Sequence, residues 1–404
     1  MPERTNTKTV AELLMLVGEM LLENGAETFR VETSILNMFY ALGGSGEINV
    51  VALGTQLTVD IFDAEHFVAV KRIRRRGINL EKLIRINDIA QKVSDKNIGA
   101  EEALSVLHNP EKIKTGNKVL QIFSASALVA GMFVFMIGGK TIEAVIAFVC
   151  CLLVQTGWLF VKRSAFHLFV ANIASGFLTA LLASAGALIW DGSVERIIFG
   201  AMLPLFPGVA MMIAIRDTVT GDITSGVVRG VEAVLTAVGL ALGTFLGVMG
   251  LGIFGILVSS VPEEAIIGLP YAAFALLVSL GSGLMLNARI KTALTGAAIG
   301  GIVYFIFMLC SGTSAGVFAA SFALMALSEI AARAAKIPST VFLIIGVYPL
   351  VPGAGIYKTA LLILHNNAPD ALSTGNATMA ELLFMIAGIA IVSVLFRDKV
   401  LKRV

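Results

Sequence analysis

From Lys118 onward the chain is a succession of apolar stretches of about 20 residues, the length of helix that crosses a bilayer. Ten are read: 119–139, 141–161, 166–190, 195–216, 227–251, 264–286, 292–310, 313–332, 337–364 and 377–396. Composition agrees. The 404 residues are 57% hydrophobic and 14% charged, with a mean hydropathy of +0.87, too apolar for a soluble chain of this size. The charge is uneven. Residues 1–117 hold 14 Lys/Arg and 16 Asp/Glu, leaving 16 and 12 for the other 287 residues. The expected organisation is a soluble domain, 1–117, followed by a membrane domain.

Basic residues orient the spans. With the amino terminus inside, thirteen Lys/Arg fall on the cytoplasmic side, against Lys140 and Arg196 outside. Both termini are therefore expected in the cytoplasm, and the chain in the cell (cytoplasmic) membrane. No cleavable signal is read at the start, whose first ten residues are polar. A net charge of +2 gives no reason to expect a nucleic-acid partner. Cys150, Cys151 and Cys310 lie in apolar runs and read as small hydrophobic residues, not a disulfide framework or a metal site.

Two apolar stretches are interrupted in the same way. Pro204-Leu205-Phe206-Pro207-Gly208 lies in the fourth and Pro349-Leu350-Val351-Pro352-Gly353 in the ninth, 145 positions later. Proline removes a backbone donor and clashes with the preceding turn, so each string breaks its helix within the membrane. Spans four and nine hold the same place in two groups of five. Five is odd, so the second group starts on the opposite side of the membrane. The predicted fold is thus membrane all-α, ten transmembrane helices in two inverted five-helix repeats (118–262 and 263–404), after a small soluble α+β domain. The half-helices after Gly208 and Gly353 would aim two positive dipole ends at one central point. Carbonyl ends of the preceding half-helices would face it too. A small zwitterion needs that pairing of donors and acceptors.

The soluble domain reads as helices over 9–23 and 26–42, three strands near 48–52, 57–61 and 66–73, then helices over 79–94 and 99–108. Lys71-Arg72-Ile73-Arg74-Arg75-Arg76 is either a solvated loop or a contact with anionic lipid heads. Glu23, Glu27, Glu32, Asp60, Asp63 and His66 match no hydrolytic spacing and read as surface charge.

Charges in the membrane domain are the remaining candidates. Asp217, Asp222, Arg229 and Glu232 lie near the cytoplasmic ends of spans four and five. They form a salt-bridge cluster or a gate or proton site, and Arg229 and Glu232 are spaced to pair. Lys358, one turn past the second Pro-Gly, either neutralises a substrate carboxylate or snorkels outward. Tyr357 beside it either donates a hydrogen bond or joins an aromatic belt.

The chain resembles the threonine/serine exporter family. The resemblance runs through Leu21-Leu22-Glu23-Asn24-Gly25-Ala26-Glu27-Thr28-Phe29-Arg30-Val31-Glu32, then Phe206-Pro207-Gly208, Arg216-Asp217 and Gly221-Asp222-Ile223-Thr224-Ser225-Gly226 with Arg229 and Glu232. It continues in Tyr348-Pro349-Leu350-Val351-Pro352-Gly353 and Tyr357. It implies secondary active export of threonine and serine, driven by the membrane potential or a proton gradient. Split relatives associated with succinate make dicarboxylate export the alternative. Two readings come from other classes: a membrane-anchored enzyme, which no nucleophile–base motif or metal spacing supports, and a receptor whose soluble domain senses a ligand. The expected substrate site comprises Pro204, Pro207, Gly208, Pro349, Pro352, Gly353, Tyr357 and Lys358. The expected proton-coupling or gate residues are Arg216, Asp217, Asp222, Arg229 and Glu232. No enzymatic activity, cofactor or metal is expected. The expected partners are a small amino acid, protons and the bilayer, and self-association into a homo-oligomer is compatible with the chain.

Overall fold

The structure, a computed structural model, describes residues 7–63, 66–74, 77–109, 119–161, 168–252, 269–350 and 353–401. The amino-terminal unit is α+β. Helix α1 (Thr7–Glu23) buries Leu13, Leu14, Val17 and Leu21, the face its spacing predicts. Helix α2 (Thr28–Ala41) buries Val31, Ile35, Met38 and Phe39. Strands β1 (Glu47–Leu53), β2 (Gln56–Phe62) and β3 (His66–Arg72) form an antiparallel sheet in sequence order. Leu57, Val59 and Ile61 point inward from β2, as a half-buried strand requires. Helices α3 (Leu80–Ser94) and α4 (Ala100–Leu107) complete the unit, Asn79 capping α3 by accepting from the Lys82 N–H.

The rest is helical. In order come α5 (Val119–Met136), α6 (Thr141–Val161), α7 (Leu168–Trp190), α8 (Val194–Met202), α9 (Gly208–Thr220) and α10 (Ile223–Gly252). Then follow α11 (Leu269–Met285), α12 (Ile290–Leu309), α13 (Ser314–Ala335), α14 (Ser339–Val347), α15 (Gly353–Leu364) and α16 (Ala368–Leu401). Six of these are long and apolar enough to cross a membrane. Two bent pairs, α8 with α9 and α14 with α15, raise that number to eight, and α6 and α11 are shorter apolar helices. Their outer faces are apolar. Val227, Val231, Val234 and Leu235 form an exposed stripe along α10, the reverse of a soluble amphipathic helix and the pattern of a lipid-facing one. The chain is an integral membrane protein.

The same geometry recurs at one spacing. Helices α8 and α14 start at 194 and 339, the 3-10 turns that follow at 203 and 348, and α9 and α15 at 208 and 353, each 145 apart. Backbone with positive φ falls at Asp191 and Lys336, and at Gly221 and Asn366, again 145 apart. Packing follows suit. Helix α7 packs on α10 and α13 on α16; α5 packs on α6 and α11 on α12. The second half of each broken helix meets the long helix of the other set, α15 on α10 and α9 on α16. Helices α5 and α11 join the two sets.

Two glycines, again 145 apart, mark corresponding close contacts in the two sets. A Cβ at Gly243 would fall on the Ile173 carbonyl of α7, and one at Gly388 would lie 2.8 Å from the Phe318 carbonyl of α13. Both obstacles are backbone, which cannot rotate away. Gly243→Ala is expected to destabilise the fold by about 1–3 kcal/mol through overpacking, read as a lower melting temperature of the purified protein in detergent. Gly230→Ala, where a Cβ meets open space, should not lower it.

Candidate functional site

The first break is a short 3-10 turn, Leu203–Leu205, holding Pro204. Phe206 then turns to extended backbone (φ −61°, ψ 140°), Pro207 caps α9, and Gly208 opens it. The two half-helices meet at 52°. The second break repeats this, with Pro349 in the turn Tyr348–Leu350 and α15 starting at Gly353, at 45°. Pro352 lies outside the described residues. A helix start leaves its first N–H groups without intrahelical partners, and a helix end leaves carbonyls free. At the first break part of this capacity is met locally, for the Phe206 N–H donates to the Met202 and Leu203 carbonyls and the Gly208 N–H to the Phe206 carbonyl.

The two breaks meet through aromatic rings. Tyr357, one turn into α15, packs its ring 5.3 Å from that of Phe206, the residue at the first break, and 5.3 Å edge-on from Phe199 of α8. Tyr357 is fully buried, and its hydroxyl has no hydrogen-bond partner. That hydroxyl faces the Thr244 hydroxyl of α10 without reaching hydrogen-bond geometry. Thr244 itself donates to the Leu240 carbonyl at 3.0 Å and approaches the Met202 sulfur at 3.5 Å. A buried, unpaired hydroxyl costs about 1–3 kcal/mol. Tyr357 is thus a core residue beside the breaks rather than part of an aromatic belt. Lys358 follows it half-buried, with interactions of its own.

The charged residues assemble elsewhere. Arg216 lies eight residues past Gly208, roughly 12 Å along α9, where α9 meets α2 of the amino-terminal unit. Asp217 is fully buried. Its Oδ1 accepts from the backbone N–H of Thr28 at 3.2 Å and the Thr28 hydroxyl at 3.3 Å, at the amino end of α2. A helix amino terminus favours an anion there. The Asp217 Oδ2 lies 3.1 Å from Arg229 Nε, whose Nη2 donates to the Ala26 carbonyl at 3.3 Å. Arg216 Nε lies 3.1 Å from Glu27 Oε1, which also accepts from the Thr340 hydroxyl at 2.7 Å. Neither Nε–H points at its carboxylate, so both are charge contacts without an aligned hydrogen bond. Arg216 reaches further to the Met325 sulfur and, at 3.9 Å, to Glu329.

Of the expected gate residues, Arg216, Asp217 and Arg229 come together. Asp222 sits in the turn before α10 and accepts from the Ser225 N–H at 3.0 Å, while Glu232 lies further along α10. The ion pair shown for Arg229 is with Asp217. Glu27 corrects the reading of it as surface charge, for it is 2% exposed. Glu32 accepts from the Ala52 N–H, Asp60 pairs with His66 on the sheet, and Asp63 accepts from Ser45, so those carboxylates form no common site. Among the described residues no cluster of His, Cys, Asp or Glu is arranged to hold a metal.

Two family models described as threonine/serine exporter match residues 12–251 and 271–395. The chain belongs to the threonine/serine exporter family. It is similar to the threonine/serine exporter of Corynebacterium glutamicum, 21% identical over 405 residues, covering 95% of this chain and 81% of that protein. No solved structure matches it. The first family match spans the amino-terminal unit as well as α5 to α10, so the exporter family includes both sides of the buried charge cluster.

Burial raises the proton affinity of the Glu27 carboxyl, but Arg216 first, then Arg30, Thr340 and Arg229, outweigh it and hold the group below its ordinary 4.5. A depressed carboxyl stabilises the fold above the unfolded value and loses that contribution as pH falls through the folded one. Docking of the amino-terminal unit should therefore hold from neutral pH down to about 5 and weaken below 4.5. Energy transfer between dyes on α4 and on α13 reads this. Glu27→Gln should already be weakened at pH 7.

Proposed function

We propose that this chain is a secondary active exporter of threonine and serine, working as a proton antiporter in the cytoplasmic membrane. Both termini and the amino-terminal unit face the cytoplasm. Residues 118–262 and 263–404 are read as five-helix repeats of inverted topology, ten spans in all. The spacing of 145 between equivalent turns, helix starts and positive-φ residues supports that reading. So does the matched packing of the two sets.

The substrate site is assigned to the junction of the breaks, with Pro204, Pro207, Gly208, Pro349, Pro352, Gly353, Tyr357 and Lys358 around it. The observation that carries this is the contact of Tyr357 with Phe206, which brings one break against the other. The Gly208 N–H donates to the Phe206 carbonyl at 2.8 Å; the N–H groups that follow in the first turns of α9 and α15, with Lys358, are read as suiting a carboxylate, and the carbonyls that end the preceding half-helices as suiting an ammonium. The unpaired Tyr357 hydroxyl suits the hydroxyl that threonine and serine share. Substrate entering there would satisfy a donor that the empty protein leaves buried.

Arg216, Asp217, Asp222, Arg229 and Glu232 are assigned to the gate and to proton coupling at the cytoplasmic end. Lys71–Arg76 is assigned to anionic lipid. Lys71 pairs with Glu19 at 3.2 Å, and Arg75 and Arg76 lie outside the described residues.

The direct test is flux of labelled threonine in proteoliposomes under an imposed proton gradient, in both orientations. Gradient-dependent movement is expected. Its absence in both, or succinate outcompeting threonine, would overturn the substrate assignment. The hydroxyl assignment is read by comparing threonine with 2-aminobutyrate, which lacks only the hydroxyl. Tyr357→Phe should cut the preference for threonine about three- to tenfold, the worth of one neutral hydrogen bond. Asp217→Asn should lower proton-driven flux more than threonine–threonine exchange, since exchange needs no net proton movement. Equal losses in the two assays would assign Asp217 a structural role alone.

A further inference from the structure

We infer that the amino-terminal unit is a working part of the cytoplasmic gate, a clamp that holds the two five-helix sets together and must release one of them in each transport cycle. This rests on the exporter reading above, and goes beyond it in giving the unit a mechanical role. Glu27 is the centre of the clamp. Its carboxylate touches Arg216 of α9, in the first set, and Thr340 of α14, in the second. It occupies the capping position of α2 but makes no capping bond there; one oxygen lies 3.7 Å from Arg30 of α2 and the other turns to the membrane helices.

Two further contacts flank it. The β1–β2 hairpin tip reaches the first set, where the Gly54 N–H donates to the Ser225 hydroxyl at 3.3 Å. The start of α3 reaches the second set. There the Leu80 N–H donates to the Leu286 carbonyl at 2.9 Å, and Glu81 accepts from Arg289 at 3.1 Å. The unit thus grips both sets at the same end of the bundle. Alternating access moves one set against the other around a fixed site. Opening this end separates α9 from α14, which Glu27 bridges. The charge contacts of Glu27 and Asp217 with their arginines are close but unaligned. Release on the side of the second set gives up the hydrogen bond from Thr340 to Glu27, and release on the side of the first set those between Thr28 and Asp217 and between Arg229 and Ala26.

The test uses the full chain in proteoliposomes, with Cys310 replaced by serine to remove the partly exposed thiol. A cysteine pair at Gly54 and Ser225 ties the unit to the first set, and a pair at Glu81 and Arg289 ties it to the second, each closed by a short reducible thiol cross-linker. Either tie alone should change threonine flux less than twofold. Both together should lower it at least tenfold, and reduction should restore it. Flux within twofold of the untied protein when both ties are closed would overturn the clamp.

A second readout needs no substrate. In an Ile215→Cys variant the thiol is buried beside Arg216 on α9, since Ile215 is 4% exposed. A membrane-impermeant maleimide applied from the cytoplasmic face should label it at least tenfold faster when Glu27→Ala or Glu27→Gln is added. Closing both ties should slow the labelling again. Labelling unmoved by either Glu27 variant would overturn the clamp. If untied protein moves no threonine at all, the exporter reading fails, and the labelling result judges the clamp alone.

Discussion

A helix inside lipid must satisfy its own backbone, because the surroundings offer no donor or acceptor. Nearly everything in this molecule follows from that demand and from two places where it is broken. The long helices meet it along their whole length and turn valine and leucine outward. The breaks at Pro207-Gly208 and at Gly353 do not meet it. They persist because each lies against the other set of helices, with Tyr357, Phe199 and Phe206 closing over the gap. Unpaired backbone is tolerable at membrane depth where it lines a cavity or is covered by protein. Here aromatic rings are the cover.

The second dependence is electrostatic. Asp217, Glu27, Arg216 and Arg229 are each less than a tenth exposed, and removing one partner of a buried pair costs about 3–5 kcal/mol. The cluster is therefore all or none. Thr28 and Thr340 matter because a carboxylate keeps its charge in a buried site only when its lone pairs are also occupied. The amino-terminal unit is accordingly no loose appendage. It supplies Glu27, Thr28 and the Ala26 carbonyl to a structure whose other members lie in the membrane helices.

Much of the architecture was legible in the sequence. Period-two alternation placed all three strands, and apolar length placed the helices to within a few residues. Helix α16 is the exception, starting at Ala368 rather than 377. Its first turns carry Asp370, Ser373, Thr374 and Asn376, which hydropathy cannot separate from a loop. The two Pro-Gly strings marked the bends because proline acts locally. The contacts between them did not show, for Tyr357 and Phe206 lie far apart in the chain and no local rule couples them. Glu27 was misread for the same reason. A glutamate beside a threonine looks solvated, and its burial depends on Thr340, 313 positions away. Its presence in the motif shared with the exporter family was the one available signal.

The two sets of helices are alike in shape but not in charge. Positions 145 beyond Arg216 and Asp217 are Leu361 and Leu362, so the ionic closure at one end of the bundle has only leucine at the equivalent place in the second set. The other end has a buried ion pair of its own, Glu143 with Arg196 at 3.6 Å, but that pair lies within the first set and does not reach the amino-terminal unit. Salt screens exposed charges strongly and buried ones far less, and Asp217 and Glu27 are almost wholly buried. Ionic strength that dissolves surface ion pairs therefore leaves the seat of the amino-terminal unit on the first set nearly untouched.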